Sequence, residues 1–61
     1  MKNLIQEMKI NHVTPSDLAA FLGTTREEIE DKIKNQNVTL TEALKIQGNF
    51  FPYMSVESLF G

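Results

Sequence analysis

Four carboxylates, Glu27, Glu28, Glu30 and Asp31, crowd the stretch TTREEIEDKIKN at positions 24–35. Carboxylate pairs do general acid–base work when a cleft places them within hydrogen-bond reach of a substrate. These four lie on an exposed, highly charged segment with no evident cleft, so that chemistry is not expected. His12 is the only histidine and has no second ligand at metal spacing. The chain has no cysteine, which excludes disulfides, thiolate chemistry and cysteine-held metals. Its three glycines form no phosphate-binding loop. The expectation is a protein that is not an enzyme and carries no metal or cofactor.

The scaffold that must present this charge is small. A chain of 61 residues makes one domain, 1–61, and buries only about 60% of the surface its unfolded form exposes, so a partner or a dimer contact would help it. Composition is that of a globular protein, 41% hydrophobic and 23% charged. Without disulfide staples a cytoplasmic location is expected. The segment MKNLIQEMKI lacks the apolar stretch of a signal peptide, and no run approaches the roughly 20 apolar residues of a membrane span. The formal net charge of −2 is opposite in sign to the usual footprint of a nucleic-acid binder.

Helix signals dominate. There is no alternation of apolar and polar residues that would indicate strands. Start signals recur instead: Asn3 with Gln6, Thr14 with Pro15 and Asp17, Thr25 with Glu28, Thr39 with Glu42, and Ser55 before VESLF. In each, a short side-chain oxygen can accept from an orphan amide, and a later carboxylate or amide can answer back. Five starts predict five short helices near residues 3–11, 15–22, 26–34, 40–50 and 56–60, an all-α fold. The apolar positions agree: Leu18, Ala19, Phe21 and Leu22 in the second helix, Ile29 and Ile33 in the third, and a stripe of Leu40, Ala43, Leu44, Ile46, Phe50 and Phe51 in the fourth. Gln47 falls inside that stripe without a reason in the pattern. Gly48 marks either an early helix end or close packing, and Pro52 disfavours helix at Phe51.

At roughly 100° per residue, Ile29 and Ile33 define the buried side of the third helix. Glu27, Asp31 and Lys34 then lie opposite, with Glu28 at the edge. Glu28–Lys32 and Glu30–Lys34 are spaced as stabilising pairs worth about 0.2–0.5 kcal/mol each. Glu27 and Asp31 repel each other and gain little from pairing. Four of the five aromatics, Phe50, Phe51, Tyr53 and Phe60, fall in the last dozen residues. Most of them fill a core, and Tyr53 and Phe60 are the candidates for an exposed dimer patch.

The stretch VTPSDLAAFLGTTREEIEDKI resembles the helix-turn-helix of the phage repressor and Cro family, of the XRE type. Leu18 and Ala19 stand where the first helix of the motif packs on the second. Gly23 stands at the tight turn, Thr25 at the cap of the recognition helix and Ile29 at its buried anchor. TLTEALKI followed by FFPYMSVESLF is similar to the last two helices of small phage-encoded members. The resemblance implies a five-helix, lambda-repressor-like domain whose second and third helices form the motif. It also implies a phage or prophage transcriptional regulator that binds double-stranded operator DNA as a homodimer. Carried over by position, Arg26, Glu27 and Asp31 would read bases, and Thr14, Ser16, Lys34, Asn35, Gln36 and Asn37 would face the DNA backbone. The chain departs from the pattern at Pro15, where glutamine is common, at Asn35, where glycine is usual, and in its acidic third helix.

An arginine there would suit guanine, and a carboxylate there would accept from a cytosine amino group. Most affinity for DNA comes from phosphate neutralisation, and the chain has six basic residues. The alternative is a protein partner: an antirepressor-like or DNA-mimicking module on the same scaffold, presenting the acidic helix to a basic surface.

Overall fold

The computed structural model describes residues 2–61, and side chains from Asn3 onward. It contains five α-helices: α1 (Lys2–Ile10), α2 (Pro15–Leu22), α3 (Arg26–Lys34), α4 (Leu40–Phe50) and α5 (Val56–Phe60). The described residues contain no strand, so the chain is a small five-helix all-α domain. Four of the five helices have the predicted bounds. The first begins earlier, so Asn3 lies inside α1 and is not its cap. There its side-chain amide donates to the Ser58 carbonyl at 2.7 Å and ties α1 to α5.

The other starts follow the cap chemistry. Thr14 and Thr39 each accept from the amide three residues on, and Asp17 and Glu42 each accept from the cap amide in return. Thr25 accepts from the Glu28 amide at 3.2 Å, but the reciprocal half is missing. The Glu28 carboxylate takes the Thr24 hydroxyl instead. Ser55 caps α5 by accepting from the Ser58 amide.

The first three helices end alike. Val13 donates to Met8 at 2.8 Å, Thr24 to Ala19 at 2.9 Å and Asn37 to Lys32 at 2.8 Å. Each bond spans five residues and closes over a left-handed residue, namely His12 (φ 57°), Gly23 (φ 73°) and Gln36 (φ 55°). Only one of the three is glycine. The left-handed position after α3 is Gln36 and not Asn35, whose φ is −93°. Gly48, by contrast, is inside α4, and a Cβ there would meet nothing within 4 Å. It neither ends the helix nor permits a close approach. Gly48→Ala and Gln36→Gly are each expected to stabilise the domain by about 0.5–1 kcal/mol, a rise of roughly 4–8 °C in Tm per kcal/mol for a chain this size. A thermal melt that moved down for Gly48→Ala would mean that the glycine has a contact partner outside this chain.

The core is built from Leu4 and Met8 of α1, Leu18 and Ala19 of α2, Ile29 of α3, Ile46 of α4, then Phe51 and Leu59. No polar or charged side chain is buried among the described residues. α2 packs on α3 and on α4, while α5 packs on α1 and α4. α1 and α3 approach nowhere within 8 Å between Cα atoms, which leaves a furrow between them.

Two apolar positions of the expected α4 stripe are not core. Leu40 and Leu44 are 69% and 52% exposed, whereas Ala43, Ile46 and Phe51 are buried. The stripe spans more of the helix circumference than α2 and α5 cover, so its outer edge faces water. Gln47 has a structural reason. Its side-chain amide donates to the Met54 carbonyl at 2.7 Å and ties α4 to the loop that leads into α5.

Candidate functional site

The surface of α3 divides into a buried side, two flanks and an outward side. Ile29 is buried and Ile33 half-buried against the core. Glu28 and Lys32 form one flank. The Lys32 ammonium makes an ion pair with Glu42 of α4, and Glu28 holds Thr24. Arg26, Glu30 and Lys34 form the other flank, with Arg26 3.6 Å from Glu30 in an exposed ion pair. The expected Glu28–Lys32 and Glu30–Lys34 pairs are absent: Lys32 pairs across the α3–α4 gap with Glu42, which is less exposed to water than Glu28, and Arg26 reaches Glu30 one turn on. Glu27 and Asp31 remain on the outward side, exposed and without an ion-pair partner among the described residues.

Lys32 therefore contributes little to the charge of the outward side. Its partner, Glu42, is held below the ordinary value of 4.5 by the hydrogen bond from Lys32 and then by the Thr39 backbone amide. A carboxyl depressed in the folded state stabilises the fold above its unfolded value, and that contribution is lost as pH falls through the folded value. Glu42→Gln keeps an acceptor for the cap and removes the charge. It is expected to cost about 0.5–1 kcal/mol near neutrality, since Lys32 is one-third exposed and water screens the pair. Urea unfolding below about pH 4 should show the variant losing less stability on acidification than the parent. Equal acid sensitivity would place the dependence elsewhere.

The candidates for the DNA backbone lie in two segments. Pro15 and Lys34 line one furrow, so the start of α2 and the end of α3 sit on the same side of the molecule. The amides there are largely committed. The Thr14 amide donates to the Asp17 carboxylate at 2.9 Å, Pro15 has none, and those of Asn35, Gln36 and Asn37 donate to Asp31, Ile33 and Lys32. The side chains of Thr14, Ser16, Lys34, Asn35, Gln36 and Asn37 are all exposed. Contacts to an anion from this side would come from side chains, with the Ser16 amide as the one addition at the start of α2. The side chain of Lys2 lies outside the described residues.

The two dimer candidates have different fates. Tyr53 is 63% exposed, and its hydroxyl donates to Glu7 at 2.6 Å and accepts from Asn11 at 2.7 Å. The Glu7 bond raises the proton affinity of that hydroxyl, so it stays a donor fixed to α1. Phe60 is half-buried and packs on the core, contrary to the expectation that it stays exposed. Leu59 anchors α5 and carries its neighbour inward. Among the described residues the most exposed large apolar side chain is Leu40, which helical periodicity alone did not separate from the core stripe.

Among the described residues no three His, Cys, Asp or Glu side chains are grouped to hold a metal ion, and no helix is long and apolar enough to cross a membrane. The arrangement is that of a small five-helix all-α domain whose third helix presents charge outward. Comparison with models of protein families, with curated proteins and with solved structures found no match.

Proposed function

We propose that this chain is a small sequence-specific DNA-binding regulator of phage or prophage type that acts as a dimer and places α3 in the major groove. The observation that carries the reading is the α2–turn–α3 unit. Its two helices pack together across a three-residue turn with a left-handed glycine, and no other helix covers the outward side of α3. The molecule measures 25 × 21 × 18 Å, so one protomer suits one half-site, and two half-sites lie about 34–36 Å apart. Leu40 and Leu44 supply apolar surface for self-association more openly than Phe60 does.

Arg26 would be the main base reader. Its pair with Glu30 is exposed and costs at most about 1 kcal/mol to break, while a bidentate contact to guanine discriminates by about 1–3 kcal/mol. Arg26→Ala is therefore expected to lower operator affinity about tenfold or more and to relax preference at one base pair of each half-site, with little effect on mixed-sequence duplex. Selection from a random duplex library identifies the operator. A two-fold symmetric consensus supports the reading, and unchanged selectivity in Arg26→Ala would remove Arg26 from the groove.

A second reading has its own observation. Glu27 and Asp31 have no ion-pair partner among the described residues on the outward side, while Lys32 is turned away to Glu42. A face of this kind suits a basic protein surface, and a folded protein that enriched no duplex would make that reading the better one.

A further inference from the structure

The furrow between α1 and α3 has a volume of about 400 Å³ and is lined by Ile5, Met8, Val13, Pro15 and Ile33, with Lys9, Glu30 and Lys34 along it. It exists because the backbones of α1 and α3 are held by different neighbours, α5 and α2, and do not approach each other closely. Its size falls in the range of small-molecule sites, about 300–1,000 Å³, and such sites are mostly apolar with a few charged groups that fix orientation. Ile5 and Pro15 are left partly in water, at a cost that an occupant would relieve.

The charge around it is one-sided. Glu30 has Arg26 beside it at 3.6 Å in an exposed ion pair, so the basic groups around the furrow outnumber the acidic one. Lys9 on α1 and Lys34 on α3 are both exposed, and neither is in an ion pair among the described residues. An apolar trough with two uncompensated ammonium groups at its edges complements a molecule with an apolar body and a negative end. The chain's own uncovered apolar ridge, Leu40 and Leu44, is followed by Lys45 and brings no anion to those lysines. We propose that this furrow is a ligand site for a small anionic amphiphile, whose apolar body lies on Ile5, Met8, Val13 and Ile33 and whose anionic end meets Lys9 and Lys34. The site shares Lys34 with the side proposed to face a DNA backbone, so its test is made without DNA.

The test is a titration of the isotope-labelled protein with decanoate, below its micelle concentration, followed by NMR. Decyltrimethylammonium serves as the charge-inverted probe. Saturable one-to-one binding is expected, with shifts centred on Ile5, Met8, Val13 and Ile33. The double variant Lys9→Gln/Lys34→Gln alters only exposed side chains and leaves the fold intact. It should bind decanoate about tenfold more weakly, since each exposed charge contact contributes a factor of a few. The cationic probe should bind the parent more weakly than decanoate does, and should gain affinity in the double variant, where the two like charges are gone. The proposal is overturned by any of three results: no saturable binding in the millimolar range, equal affinity for both probes, or shifts centred on Leu40 and Leu44.

Discussion

Replacing Glu27 and Asp31 together by lysine is expected to raise affinity for mixed-sequence duplex about ten- to a hundredfold at low salt. Each replacement changes the charge by two, so the formal net charge goes from −2 to +2. Both side chains are exposed on the outward side of α3, and no carboxylate or ammonium of the described residues screens them in an ion pair. Two repulsions become two phosphate contacts. The slope of log K against log salt should steepen by about 0.9 for each added contact, or about 1.8 for the pair. Titrations at several salt concentrations read both quantities. The same variant separates the two proposed functions. A DNA reader loses its operator preference while gaining non-specific affinity. A module that binds a basic protein surface loses its partner. No change in duplex affinity or slope would mean that the outward side of α3 never meets the duplex.

Phe51→Ala is expected to leave the domain only marginally folded at room temperature. The ring is fully buried and sits in the aromatic row that runs Phe21, Phe50, Phe51, Tyr53, with centroid separations of 5.5, 6.3 and 6.5 Å. Removing a buried phenyl ring costs about 3–5 kcal/mol. A domain of this length has a total stability of about 3–9 kcal/mol, so most of it goes. The residue also turns the chain. Its amide closes α4 by donating to Gln47 at 3.0 Å, and its carbonyl accepts from Met54 at 3.0 Å. Phe51→Leu keeps most of the volume and should cost less than half as much. Circular dichroism melts of the two variants are the measurement. A Phe51→Ala protein that melts within a few degrees of the parent would show that the space at the centre of the fold can collapse.

The helix starts were legible because capping is local chemistry. An oxygen at the cap and an amide three residues later are adjacent in sequence, and Thr14, Thr25, Thr39 and Ser55 all act as their spacing indicates. Asn3 was misleading because an asparagine near a helix start is equally able to donate to a carbonyl 55 residues away. The ion pairs failed for the same reason. Intrahelical spacing offers Lys32 a partner at Glu28, but a partner on α4 completes both an ion pair and a cap at Glu42. Gln47 was an anomaly in a stripe until the Met54 carbonyl lay beside it.

The sequence by itself determined five helices, the ends of four of them, and the set of residues from which the core is drawn, since these depend on groups within one or two turns of each other. The tertiary structure alone decided which edge of α4 stays in water, which partner each charge takes, and that α1 and α3 stand apart over an apolar furrow. Those outcomes depend on how far each helix is covered by its neighbours, and coverage is a property of packing that no local spacing encodes.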